Sequence, residues 1–221
     1  MKIPALFLCV AVSGAILAQK PDSDSSPATT PVYFPTGVFD TSTHTLRGTW
    51  YSRTLAALGE PSLFDLRADK SVQAYRFLWL PSFHRPISVR LTINSDGSGS
   101  LVTRRVDRHM GLLTKPRSDT GKLILDATGK ASKAEVEKVR NQLESIKFWS
   151  MTTEESPEGF QDARPGYHAV PVVKADGAGW ILEGLRDGEY HVVDRQSPEN
   201  DSYSRLCRYL LQLGKVDVTL Y

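Results

Sequence analysis

The residues best suited to chemistry lie between Gly179 and Pro198, in the stretch GWILEGLRDGEYHVVDRQSP. Two strand-like runs flank Asp187-Gly188, a pair that favours a two-residue hairpin turn. Side chains alternate across a strand, so an even-length turn puts Ile181, Glu183, Tyr190, Val192 and Asp194 on one face. Trp180, Leu182, His191, Val193 and Arg195 take the other. Two carboxylates and a phenol on one face would serve general acid–base chemistry if they converge. Crowding would then raise the pKa of one carboxyl. Glu183 and Asp194 are at best diagonal neighbours, however, roughly 7–8 Å apart at Cα. The plainer alternative gives each a structural partner, with Arg195 on a carboxylate and Asp194 on a loop amide. Arg195 is also placed to lie over the Trp180 indole.

A second grouping starts at His84 and Arg85, between Pro81 and Pro86. With Arg104, Arg105, Arg108 and His109 they form a candidate basic rim for an anion such as phosphate or a sugar acid. Set against this is a plainer reading, solvated strand ends facing Asp96 and Asp107. The five histidines, at 44, 84, 109, 168 and 191, show no zinc-helix or zinc-finger spacing. No serine elbow, Gly-rich phosphate loop, dinucleotide fingerprint or calcium loop occurs. The expectation is therefore no cofactor, no metal and no assigned catalytic residue. The candidate site residues are Glu183, Tyr190, His191, Asp194, Arg195, His84 and Arg85.

Composition narrows the class. Lys and Arg number 27 against 25 Asp and Glu, a net charge of +2 with the signs interspersed. That balance gives no argument for nucleic acid or an anionic membrane, and leaves a small molecule or a protein as partner. At the N-terminus, Lys2, the apolar run Ile3 to Leu17 and Ala18 make the pattern of a secretory signal peptide over residues 1–18. The expected location is secreted or periplasmic, with no membrane span after cleavage. Removing Cys9 would leave Cys207 as the one thiol, so no internal disulfide is expected. Residues 19–45 read as a flexible Pro/Ser/Thr-rich leader. Val32-Tyr33-Phe34 and Val38-Phe39 are the parts of it able to dock.

The elements that must position these residues lie in one domain, 46–221. A short helix is expected over Trp50 to Leu58, ended by Gly59 and Pro61. A strand follows over Tyr75 to Leu80, covered on both faces. Ile87 to Ile93 alternates, and Leu101 to Val106 returns from the turn at Asn94 to Gly97. A two-residue turn at Asp96-Gly97 would put Val102, Arg104 and Val106 on the apolar face, with Arg90 and Arg105 outward; Arg104 is then a misfit, so that either the pairing slips or its head group escapes past the sheet edge. Lys122 to Leu125 is another strand. Ser132 and Glu135 form a capping box for a helix striped by Val136, Val139, Leu143 and Ile146. Val170 to Val173 reads as a short edge strand. Asp201 or Ser202 caps a last helix striped by Tyr203, Leu206, Leu210 and Leu213, with Cys207 buried on it. Val216, Val218 and Leu220 alternate as a terminal strand. The order predicts an α+β fold, an antiparallel sheet with two main helices packed on one face plus a short N-terminal helix.

The blocks YRFLWLPSFHRPISVRL and DGAGWILEGLRDGEYHVVDRQSP resemble a family of uncharacterised bacterial exported proteins. The resemblance implies a bacterial, secreted protein and brings no activity with it. The expected function is an exported binding or cell-envelope-associated module. The rival is a small hydrolase-like enzyme, which requires Glu183, His191 and Asp194 around one pocket.

Overall fold

The structure, a computed structural model, describes residues 32–39, 44–108, 121–155 and 177–220. Residues 1–18, read as a signal peptide, His109, His168 and the strand expected over 170–173 lie outside the described residues. Six strands follow in chain order: β1 (Ala74–Pro81), β2 (Ile87–Ile93), β3 (Gly99–Val106), β4 (Leu123–Ala131), β5 (Ala178–Arg186) and β6 (Glu189–Gln196). Four helices accompany them: α1 (His44–Ala57), α2 (Leu63–Leu66), α3 (Lys133–Ser145) and α4 (Ser202–Leu213). The fold is α+β. The strands form one antiparallel sheet in the order β4-β3-β2-β1-β5-β6. A four-strand meander thus crosses by way of α3 to a hairpin that docks on the free side of β1.

The sheet has two buried faces, and the β1 register tells them apart. Tyr75, Phe77 and Trp79 join Leu182, Val193, Val89 and Leu91 in one apolar layer, covered by Val136, Val139 and Leu143 of α3 and by Leu206, Cys207 and Leu210 of α4. Leu78, Leu80, Ile181 and Val192 look the other way, toward Tyr51 and Leu55 of α1 and Leu58 just after it. Every residue of β1 is buried, as expected of its apolar run. Both main helices start where their caps predict. Ser132 accepts from the Glu135 amide, with Glu135 returning the bond, and the Asp201 side chain accepts from the Ser204 amide.

Helix α1 begins at His44, earlier than its apolar spacing predicts, and ends in a Schellman motif. Gly59, at φ +65°, donates to the Ala56 carbonyl, and Glu60 donates to the Leu55 carbonyl. Residues 32–39 pack on this helix: Tyr33, Phe34 and Phe39 are buried, and the Phe34, Phe39 and Tyr51 rings meet edge to face. The aromatic residues singled out in the leader sequence are therefore part of the second core layer.

Two expected registers differ. The β2–β3 connection spans Asn94 to Ser98, closed by the Asn94 amide on the Ser98 carbonyl at 2.8 Å, with Gly97 at φ +84°. This longer loop pairs Leu91 with Leu101 and Val89 with Thr103. Leu101 and Thr103 therefore face the apolar layer, and Arg104 turns to the opposite face beside Arg90. The misfit of Arg104 is resolved by the slip in pairing. At the C-terminus, Val216, Val218 and Leu220 pack against the core that includes Phe77 and Val89 without joining the sheet. The β5–β6 turn is as predicted, with Asp187 at φ 56° and Gly188 at φ 81°.

Two substitutions test the packing. Leu143→Ala removes a buried side chain under the sheet and should cost about 2–5 kcal/mol in chemical denaturation. A Cβ at Gly184 would stand 2.6 Å from Cε1 of buried Phe148. Gly184→Ala should therefore cost about 1–3 kcal/mol through overpacking. A neutral result at either position would show that the layer is not packed there.

Candidate functional site

The polar residues of the hairpin divide between the two faces of the sheet. Glu183 stands opposite Arg76 across the β1–β5 ladder, both wholly buried. The Arg76 guanidinium grips the carboxylate from two sides, Nε to Oε2 at 2.6 Å and Nη2 to Oε1 at 2.7 Å. Its Nη1 donates to the Pro61 carbonyl at 2.6 Å and lies 3.5 Å from Glu60 Oε2. The Tyr190 hydroxyl donates to Glu183 Oε1 at 2.9 Å. Burial pushes the Glu183 carboxyl above its usual range, and Arg76 and Tyr190 pull it part of the way back.

Glu60, fixed by the α1 cap, extends this cluster along the same face. Its carboxylate accepts from Arg90 Nε at 2.8 Å and Ser88 Oγ at 3.2 Å. Arg104 adds its Nη1 to the Gly59 carbonyl and its Nε to Asp126 at 3.0 Å. Three arginines thus surround Glu60 and Glu183, and every one has a carboxylate partner. The arrangement is that of an internal ion network rather than an anion receptor.

Asp194 belongs to a separate cluster. Its Oδ2 accepts from the Tyr51 hydroxyl at 2.7 Å, and Arg47 Nη1 stands 3.4 Å away. Arg47 is shared with Glu154 at 2.5 Å. Burial raises the Asp194 carboxyl to about 6, against the pull of Arg47 and Tyr51. Among the described residues, no loop amide donates to its carboxylate. Instead, the Asp194 backbone amide donates to the Thr153 carbonyl at 2.7 Å.

On the other face, Arg195 ties down the same loop through the carbonyls of Thr152 and Thr153, both at 3.1 Å, with Glu155 at 3.5 Å. Its guanidinium lies over Tyr203, and the Trp180 indole is covered by Arg208 of α4, in place of the expected Arg195. His191 packs edge-on against Phe148, centroids 5.0 Å apart, and burial lowers its pKa. Its Nε2 is buried without a hydrogen-bond partner.

Glu183 and Tyr190 therefore meet, while Asp194 and His191 go elsewhere. Glu183, His191 and Asp194 do not share a pocket: the first two lie on opposite faces of the sheet, and the two carboxylates hold different partners. That geometry removes the arrangement a hydrolase-like site requires. Nor does the basic rim assemble as one group, because Arg104 points into the ion network. Arg85 donates to the Asp107 carbonyl at 2.8 Å, and His84 stacks on Trp79 at 6.3 Å. Among the described residues no group of three or more His, Cys, Asp or Glu could hold a metal ion. Sequence reading missed Arg76, Glu60, Arg47 and Tyr51. Arg76 and Glu183 did carry a signal, each being the lone charge in a strand stretch that is otherwise apolar.

The ion pair is testable by truncation. Arg76→Met alone should cost about 3–5 kcal/mol, because it strands the buried Glu183 charge. Arg76→Met combined with Glu183→Leu should cost less than the single change, since no uncompensated charge remains. Denaturation of the unmodified protein, Arg76→Met, Glu183→Leu and the double variant closes the cycle, and a loss below about 1 kcal/mol in Arg76→Met would contradict the pairing. None of the family models, curated proteins or solved structures compared with the chain matches it.

Proposed function

We propose that this is an exported bacterial binding or envelope-associated module that meets a small molecule or another protein at the β1–β2 end of its sheet. The observation that carries this reading is Phe83, 67 % exposed at the tip of the loop between β1 and β2. The loop around it is pinned on all sides. Ser82 Oγ donates to the Gly177 carbonyl at 2.7 Å, His84 stacks on buried Trp79, and Arg85 holds the Asp107 carbonyl. A fixed loop that presents an apolar ring to water has already lost the freedom that binding would otherwise remove. Exposed His84 and Arg85 flank the ring, so an acidic or polar group beside an apolar one is the complement it fits. The charges within the fold, by contrast, are bonded to each other. The signal-like N-terminus and the resemblance of the two sequence blocks support export.

A thermal-shift screen against sugars, peptides, metals and phosphates tests the reading. A ligand at 100 times its Kd adds about 2.7 kcal/mol to apparent stability. The shift should be retained in His191→Ala and largely lost in Phe83→Ser and Arg85→Ala. A ligand whose shift survives both loop substitutions would move the site elsewhere.

A further inference from the structure

We propose that Asp194 makes the docking of α1 and of residues 152–155 onto β6 a pH-sensitive latch, closed in mildly acid solution and loosening toward neutral pH. The side chain sits where three pieces of the chain join. From α1 come Tyr51 and Arg47, from the loop after α3 comes Glu154, and Asp194 itself is on β6. Asp194 is only 2 % exposed, so its charge is served by these neighbours rather than by water. Two carboxylates share one guanidinium there, since Arg47 bonds Glu154 at 2.5 Å and Asp194 at 3.4 Å. Tyr51 stays a neutral donor, because burial pushes its hydroxyl well up.

Among the described residues, the other polar groups close to Asp194 are engaged elsewhere or neutral. Arg195 spends its guanidinium on the Thr152 and Thr153 carbonyls and on Glu155, and the Tyr203 hydroxyl donates to the Trp180 carbonyl at 2.6 Å. Gln196, the remaining contact, is a neutral amide 3.4 Å away. When α1 and the loop lift off, Asp194 meets water and returns to its ordinary carboxyl range. The docked form therefore holds the proton more tightly than the open one. Its advantage is complete below the open-state pKa and is lost as pH rises through about 6. From below the ordinary carboxyl range to well above 6, the docking equilibrium falls roughly a hundredfold in all. His191 acts in the opposite sense. Its lowered pKa favours the folded form as pH rises, and it lies on the other face of β6.

Amide hydrogen exchange of the full chain at pH 4.5 and pH 7, corrected for intrinsic rates, reads the latch directly. Protection in residues 47–58 and 150–155 should fall by roughly twentyfold at the higher pH, while α3 and α4 change much less. Asp194→Asn should abolish the difference, and His191→Asn should leave it in place. A fall shared equally by all helices, or one that persists in Asp194→Asn, would overturn the proposal. Carbon-13 titration of the Asp194 carboxyl in the unmodified protein gives a second reading that needs no variant. A midpoint near 4 would overturn the latch as well.

Discussion

The pair of Arg76 and Glu183 is the constraint on which the rest of the structure depends. It lies at the seam between the meander β1 to β4 and the hairpin β5–β6, the place where two sequence-distant parts of the sheet must find one alignment. A slip of one residue would turn Arg76 or Glu183 into the layer of Phe77, Trp180 and Leu182, where neither charge has a partner. Burying an ion pair brings little net stability, yet leaving either member alone is expensive. The pair therefore acts chiefly on alignment. The Pro61 carbonyl and Glu60 also bond Arg76, so the same guanidinium fixes where α1 must end and α2 begin.

The two faces consequently differ in kind. Beneath α3 and α4 the sheet is held chiefly by aliphatic and aromatic packing, with Gly184 leaving room for Phe148 and the Tyr203 hydroxyl donating to the Trp180 carbonyl. Beneath α1 the apolar layer is interrupted by charge at Glu60, Arg76 and Glu183, and again at Asp194. Helix α1 is weakly amphipathic by sequence, HTLRGTWYSRTLAA, and owes its placement to tertiary partners more than to its own pattern. These include the aromatic residues 33, 34 and 39, the hydroxyl of Tyr51 and the cap at Gly59.

Much of this was legible in the sequence wherever a local rule operates. The Ser132–Glu135 box, the Asp187-Gly188 turn and the face assignments along β5 and β6 all follow from spacing, because caps, turns and alternation are short-range. What spacing cannot supply is a partner. Arg76 reads as an oddity within YRFLWL, and only the pairing of β1 with β5 reveals Glu183 opposite. The Asp194 cluster was hidden for the same reason, since Tyr51 is 143 residues away. The β2–β3 register failed on one loop residue more than a tight turn contains, which was enough to exchange Val102 for Leu101 on the buried face. The terminal strand failed because alternation records only that one side of a segment is covered. Val216, Val218 and Leu220 satisfy that by packing against the core without strand pairing.

Cys207 carries a last consequence. It faces the sheet from the middle of α4, wholly enclosed, and burial drives its thiol well above the usual range. Nucleophilic attack and oxidation both proceed through the thiolate, so the sulfur is chemically silent as long as the helix stays seated. The core thereby shields the molecule from mixed disulfides and from covalent pairing of two copies through this atom. It also turns the sulfur into a built-in clock, whose modification rate in an alkylating reagent counts how often α4 lifts from the sheet.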